Sequence, residues 1–192
     1  MISMSLGVDF VGYREYFVKE KNFPDPKATS IALAGYRLNV RVFDRLSMLP
    51  AIDDGGFAGS LVVAAAGNES ARPDYTITTA PPAAGKRFFS VAALDRSLTV
   101  ANFSNDDVDI AAPGVGILSV GIDGGVRPDD SISMAAPHIA GVATLYADAM
   151  IKVDRFNAAA FESRLRSSAK PATLIDEEVV RCHRTLTSST WT

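Results

Sequence analysis

Cysteine and histidine are scarce in this sequence. Its 192 residues include one cysteine, Cys182, and two histidines, His138 and His183. A lone cysteine excludes an internal disulfide. Cys182 and His183 are adjacent, but two neighbouring residues do not make the ligand set of a metal site, so we predict no bound metal.

The sequence also lacks a surplus of positive charge and a long apolar run. Its 19 Lys and Arg residues are outnumbered by 22 Asp and Glu residues, which gives a net charge of −3. This balance indicates no nucleic-acid surface, and no apolar stretch reaches the roughly 20 residues that span a membrane. The first residues show no basic region followed by an apolar run and a cleavage site. We therefore predict no signal peptide, and the localisation stays open.

The composition is that of a packed domain. The sequence is 47% hydrophobic and 21% charged, which indicates a buried core. We place one domain at residues 1–170 and a polar tail at 171–192. Short apolar runs predict strands at 2–6, 61–66, 88–94 and 117–120, and Asp123-Gly124-Gly125 predicts a hairpin turn.

In the segments between and after these strands, apolar residues have the spacing of one face of a helix. This spacing predicts helices at 26–50, 134–150 and 157–169. Asp25 is the expected N-cap of the first helix, with Pro26 at its first helical position. Residues 8–25 are aromatic and mixed, and no element is predicted there. The order of elements predicts an α/β fold with a parallel sheet.

A hydroxyl at the start of the second predicted helix is the first sign of chemistry. Ser133 follows a short polar turn, and the helix after it is rich in alanine and glycine. A helix start offers unpaired N–H groups and the positive end of a dipole. Such a place can stabilise the negative charge that develops when a serine oxygen attacks a carbonyl.

The segment Ser133-Met134-Ala135-Ala136-Pro137-His138-Ile139-Ala140-Gly141 resembles the nucleophile segment of the subtilisin-like serine peptidases, the subtilases. That segment usually reads Gly-Thr-Ser-Met-Ala-x-Pro-His-Val-Ala-Gly. Further blocks in matching order are 2–7, 62–69, 103–105 and 109–114, so the likeness covers about residues 1–170. It implies a three-layer, doubly wound, mostly parallel sheet and a serine endopeptidase that acts on peptides or proteins.

The resemblance also implies roles for individual residues. Ser133 would be the nucleophile, and Asn68 would donate to the oxyanion from the end of a strand. A substrate peptide would lie in a cleft formed by two strand ends, Ser5-Leu6-Gly7 and Ala66-Gly67. Taken alone, Asn68 reads as a turn residue and Ser5-Leu6-Gly7 as an ordinary strand end. Because the Ser133 segment resembles the family, we favour the functional interpretation of both features. The loop Ala80-Pro81-Pro82 would border the specificity pocket.

Part of the family's machinery is not found in this sequence. Subtilases order their triad as Asp, His and Ser, and both early members precede the strand that resembles residues 2–7. His138 belongs to the serine segment and is expected to pack structurally, and His183 lies in the tail. We therefore expect N-terminal strands to be missing and a sheet edge to be open to association. Calcium is common in the family, but no oxygen-rich loop supports a site here, and no cofactor is predicted.

The residues before the serine depart from the family pattern. Ser131-Ile132 stands where Gly-Thr is usual. Serine resists some backbone angles that glycine allows, and isoleucine removes a hydroxyl. Both changes favour an alternative, a catalytically inactive module that binds peptides. A third possibility, an α/β-hydrolase esterase, requires a Gly-x-Ser-x-Gly elbow that is absent around Ser133.

Overall fold

The computed structural model describes residues 1–48, 61–153 and 158–169. The four helices in these ranges are α1 (Phe10–Lys19), α2 (Asp25–Leu46), α3 (Ile132–Lys152) and α4 (Ala158–Ser167). The six strands are β1 (Ile2–Met4), β2 (Val62–Ala65), β3 (Phe88–Leu94), β4 (Ile110–Pro113), β5 (Ile117–Val120) and β6 (Val126–Asp129). The first predicted helix ends at Leu46, four residues before its predicted end at Pro50. Cys182, His183 and the tail lie outside the described residues.

A parallel sheet of four strands forms the centre of the domain. The strands lie in the order β1-β2-β3-β4, and every neighbouring pair is parallel. All residues of β2 and β3 are buried, which explains why these strands read as continuous apolar runs. The remaining strands, β5 and β6, form an antiparallel hairpin. The predicted α/β fold with a mostly parallel sheet is confirmed.

The two faces of the sheet pack against different helices. Val63 and Ala65 of β2 belong to the main core, where α3 contributes fully buried residues such as Ala135 and Ile139. Val62 and Ala64 point the other way, toward Phe88 and the α2 residue Phe43. Alternate residues of one strand therefore serve opposite layers, and the helices cover both faces of the sheet.

Helix α1 lies in a region where the sequence predicted no element. Asp9 caps it by accepting a hydrogen bond of 2.7 Å from the Gly12 N–H. None of its residues is fully buried. Its aromatic side chains hold it in place, for example through an edge-to-face contact of Phe10 with Tyr36 of α2, with ring centroids 5.1 Å apart.

The predicted cap of α2 is wrong by one residue. Asp25 is the first helical residue, and Pro24 occupies the cap position without a side-chain hydrogen bond. The Asp25 carboxylate instead pairs with Arg14 of α1 at 2.5 Å. In the first turn a carboxylate also interacts favourably with the helix dipole, so the residue stabilises the same helix end in a different way.

The outer edge of β1 carries no strand among the described residues. Strand β1 pairs with β2 alone, and Ile2 is 40% exposed. Association through this edge stays a prediction. None of the helices that the structure describes is long and apolar enough to cross a membrane.

Candidate active site

Two strand ends and one helix start meet at the same edge of the sheet. Because β1 and β2 are parallel, the segments that follow them, 5–7 and 66–68, emerge side by side. Helix α3 begins beside them, since the Ile132 N–H donates to Asn68 Oδ1 at 2.9 Å. In addition, the Ser131 N–H donates to the Gly114 carbonyl just after β4, at 2.9 Å. A Cβ on Gly114 would lie 2.9 Å from the Ser131 carbonyl oxygen, so this close approach requires glycine.

Ser133 lies in the first turn of α3, as the sequence predicted. Ser131 caps the helix, because its Oγ accepts a hydrogen bond of 3.0 Å from the Ser133 N–H. The Ser133 side chain is only partly exposed. Ser133 therefore lies at the positive end of a helix of 21 residues. The space between this helix start and the two strand ends, 5–7 and 66–68, is called the crevice below.

Asn68 bridges the crevice from the end of β2 to the start of α3. Its Oδ1 accepts a hydrogen bond from the Ile132 N–H at 2.9 Å, and its Nδ2 donates to Ser131 Oγ at 3.3 Å. The backbone N–H can only donate, so it fixes which end of the amide faces it. The structure thus brings together Asn68 and the Ser133 turn, two features that are more than 60 residues apart in the sequence.

A buried asparagine organises the loop that presents Asn68. Asn105 is 1% exposed, and its Oδ1 accepts from the N–H groups of Glu69 and Ser70, both at 3.1 Å. Its Nδ2 donates to the Ala66 carbonyl at 3.2 Å. Sequence reasoning noticed Asn105 only as part of the 103–105 block. The available signal was its place in that block, directly after Phe103 and Ser104.

Gly67 makes this arrangement possible. Its φ of +117° lies in a region that favours glycine, and a Cβ there would lie 2.3 Å from Asn105 Nδ2. The Asn105 N–H also donates to the Gly67 carbonyl at 3.1 Å. The backbone just before Asn68 is therefore fixed by the buried Asn105, whereas the exposed Asn68 side chain is directed by its own hydrogen bonds with Ile132 and Ser131.

The predicted substrate-binding residues differ in whether a peptide can reach their backbone groups. Ser5, Leu6 and Gly7 are all exposed, so their backbone can be reached by a peptide. Ala66 is fully buried, its N–H donates to Val91, and its carbonyl accepts from Ala80 at 2.8 Å. Ala66 therefore has no backbone group left for a peptide and contributes to the crevice through its support of Gly67.

The strand that would hold a peptide is joined to the serine helix. Pro137 has no N–H, so the Ser133 carbonyl four residues earlier lacks its helical partner. Ser5 Oγ donates to this carbonyl at 3.3 Å instead. On the far side, the Val8 N–H donates to the Pro81 carbonyl at 3.1 Å, which holds the loop 80–82 beside the same strand end.

His138 is exposed, so the expectation that it packs in the interior is wrong. Its Nδ1 donates to the Met134 carbonyl at 2.8 Å, one turn back on its own helix. Within the described ranges, no basic side chain forms a hydrogen bond with Ser133 Oγ. The same ranges hold no cluster of three or more His, Cys, Asp or Glu side chains that could bind a metal.

Serine at position 131, where the family usually has glycine, causes no backbone strain. Its φ of −170° and ψ of 153° are extended angles that any residue adopts, so the expectation that serine resists this backbone is wrong. Ile132 is fully buried in the main core. The hydroxyl at residue 131 instead accepts hydrogen bonds from the Ser133 N–H and from Asn68 Nδ2.

Comparison with known proteins extends the likeness over most of the chain. The model of the subtilase family matches residues 1–178. A cuticle-degrading serine protease from Arthrobotrys oligospora is 33% identical over 137 residues, which are 69% of this chain and 31% of that protein. A thermophilic serine proteinase from Bacillus sp. strain AK1 is 42% identical over 91 residues, 46% of this chain and 21% of that protein. The chain therefore spans about a third or less of these relatives.

Two solved structures share the architecture. The prenylagaramide maturation protease PagA aligns with a TM-score of 0.55 and 23% identity, over 84% of this chain and 53% of that one. The patellamide maturation protease PatA aligns with a TM-score of 0.55 and 24% identity, over 84% of this chain and 54% of that one. At this identity the likeness shows the fold alone, and it agrees with the parallel sheet and its two helical layers.

Proposed function

The chain belongs to the subtilase family of serine peptidases, and on that premise we propose that it is part of a serine endopeptidase domain. Ser133 is the nucleophile, and Asn68 is a donor to the oxyanion. One observation carries the proposal: the Asn68 Nδ2 and the Ser133 N–H both donate to the same oxygen atom, Ser131 Oγ, at 3.3 and 3.0 Å. Two N–H groups aimed at one point beside a serine hydroxyl form the arrangement that acyl transfer needs.

The proposed reaction follows from this arrangement. Ser133 Oγ attacks the carbonyl carbon of a peptide bond, and its proton passes to a base. Charge collects on the carbonyl oxygen, where the Asn68 amide, the Ser133 N–H and the α3 dipole stabilise it. The C–N bond then breaks, the base returns the proton to the leaving amine, and water hydrolyses the acyl-enzyme.

The base is the group that the described residues do not supply. His138 donates to its own helix and faces solvent. The family's chain order implies that an aspartate and a histidine precede the serine, and the proposed reaction requires such a pair from outside residues 1–48, 61–153 and 158–169. A histidine oriented by a carboxylate would restore the usual proton transfer.

The substrate class is a peptide or protein in extended form. The exposed backbone of Ser5, Leu6 and Gly7 continues β1, so a peptide can align there as an added strand. Because Ser5 also contacts the Ser133 carbonyl, such a peptide would pass directly beside the nucleophile. Backbone pairing gives affinity without fixing the side chains, so this geometry sets the class of substrate and leaves the cleavage preference open.

A second candidate function is a peptide-binding module without catalysis. The observation that favours it is the Ser133 hydroxyl, which has no basic partner among the described residues. Such a module would keep the crevice and the exposed strand end and would hold a peptide without cleaving it.

A fluorophosphonate probe separates the two functions. We expect Ser133 to be labelled in the full chain, or in the full chain supplied with a family segment carrying the Asp and His, as measured by intact mass. Ser133→Ala should abolish the labelling, and Ser97→Ala, at an exposed turn, should preserve it. Peptide binding by the exposed strand end with no labelling in either form would contradict the peptidase and support the binding module.

A further inference from the structure

The structure assigns an unexpected role to Ser131: we propose that its hydroxyl is a resident ligand of the two oxyanion donors. This inference deepens the proposed function and rests on it. The Asn68 Nδ2 and the Ser133 N–H are the groups that would hold an oxyanion, and both donate to Ser131 Oγ. The hydroxyl oxygen therefore occupies the point at which the carbonyl oxygen of a substrate would develop its charge.

The distances support this assignment. Oxyanion donors are expected at about 2.7–3.1 Å from the position of the charged oxygen. Ser131 Oγ lies 3.0 Å from the Ser133 nitrogen and 3.3 Å from Asn68 Nδ2. The 3.0 Å contact lies within that range, and the 3.3 Å contact is slightly longer, which agrees with a neutral hydroxyl being a weaker acceptor than an oxyanion.

Three contacts hold the hydroxyl in this place. Ser131 is the N-cap of α3, so its side chain is directed toward the first-turn N–H groups. Its own N–H donates to the Gly114 carbonyl at 2.9 Å, which anchors the residue to the end of β4. Asn68 cannot turn its amide away without breaking the 2.9 Å hydrogen bond from Ile132.

Residue 131 thereby determines whether the donors are available. An oxyanion must displace the hydroxyl, which requires rotation of the Ser131 side chain to another staggered position and the loss of two hydrogen bonds. With glycine at this position, the same two donors would face the crevice without an internal ligand. Ser131 acts on the reaction through Asn68 and Ser133, so it is a positioning residue.

The first test measures the occupancy of the donors directly and needs no activity. In the full chain, NMR resonances of the Asn68 side-chain amide and the Ser133 backbone amide are compared among wild type, Ser131→Ala and Ser131→Thr. We expect both resonances to shift and to exchange faster with water in Ser131→Ala, and to stay close to wild type in Ser131→Thr, which keeps the hydroxyl. Unchanged resonances in Ser131→Ala would overturn the proposal.

The second test measures the consequence for the nucleophile. We expect Ser131→Gly to raise the rate of fluorophosphonate labelling at Ser133 by about 5- to 30-fold, the effect of one or two hydrogen bonds. Ser131→Thr should label like wild type. The thermal midpoint should hardly change, because glycine is a tolerable N-cap.

The outcomes of the two tests distinguish a failure of this inference from a failure of the proposed function. Slower labelling of Ser131→Gly, with Ser131→Thr unaffected, would make the hydroxyl a helper of the reaction and contradict its role as a competing ligand. No labelling of any variant, even with the family's Asp and His supplied, would reject the peptidase. The amide resonances would then still decide whether Ser131 occupies the two donors.

Discussion

The two faces of the central sheet are covered in different ways. On one face, α3 packs small, fully buried side chains such as Ala135 and Ala143 directly against the strands. On the other, α2 reaches the sheet through larger and partly exposed contacts, among them the edge-to-face pair of Phe43 and Phe88. The α3 face thus resembles the interior of a domain, and the α2 face resembles a layer fixed at a few points.

This contrast places the candidate chemistry on the more rigid layer. Ser133 belongs to the helix whose fully buried side chains allow little movement, and Asn68 follows a strand that this helix covers. A misplacement of about 1 Å in a catalytic site can lower the rate on the order of 10²-fold. The α1–α2 pair, by comparison, belongs to the other layer, and α1 begins at Phe10, shortly after the exposed strand end.

Truncation of matched apolar residues on the two helices tests the contrast most strongly. Ile139 of α3 is 1% exposed and Leu38 of α2 is 61% exposed. Ile139→Ala should lower the free energy of unfolding by about 2–5 kcal/mol, because it leaves a cavity in the core. Leu38→Ala should change it by less than about 0.5 kcal/mol. Urea denaturation measures both, and equal losses would show that the side of α2 that carries Leu38 is covered in solution.

The buried amide behind the crevice gives the next largest expected effect. Asn105→Ala removes the acceptor of two N–H groups and the donor to Ala66, so it should cost about 2–3 kcal/mol of unfolding free energy. Asn102→Ala is the matched control, since that side chain is exposed. A small loss for Asn105→Ala in the same urea titration would mean that water satisfies the loop and that Asn68 is held by other contacts.

A tyrosine hydroxyl that links α2 to the loop beside the crevice should have the smallest effect. Tyr36 Oη donates to the Thr79 carbonyl at 2.9 Å, so Tyr36→Phe should cost about 1 kcal/mol, with Tyr75→Phe at an exposed position as its control. Equal losses for the two variants would argue against a useful link between α2 and this loop.

The same phenol should respond to alkaline pH. Burial, together with the nearby Asp107 carboxylate, raises the pKa of Tyr36. The neutral form is therefore favoured in the folded protein, and its contribution to stability is present below the ordinary pKa and is lost as the pH rises through the raised value. Ultraviolet titration should show a tyrosine that ionises above the ordinary range of a phenol, and this late step should disappear in Tyr36→Phe.

The sequence predicted structure best where one physical requirement decides which residue types can occupy a segment. Apolar runs predicted β2 and β3 because strands buried on both faces need no polar residue. The polar turn followed by an apolar, small-residue segment placed Ser133 at a helix start, and the structure has it there. Asn68 was predicted beside it from the 62–69 block, although no local pattern links the two residues.

The remaining features depend on partners that are distant in the sequence. Helix α1 buries no residue fully, so its pattern carries no apolar stripe, and its aromatic side chains gain their partners only when α2 is in place. Asp25 appeared to be a cap because its pairing with Arg14 could not be seen. For the same reason the location of the Ser131 hydroxyl between Asn68 and Ser133 could be found only in three dimensions.

The proline in the serine helix has a mechanical consequence. Pro137 leaves the Ser133 carbonyl without a helical donor, and Ser5 Oγ donates to this carbonyl instead, so one hydrogen bond joins the exposed strand end to the first turn of α3. If the proposed function holds, a peptide that displaces Ser5 would break this hydrogen bond and would alter the turn that carries the nucleophile.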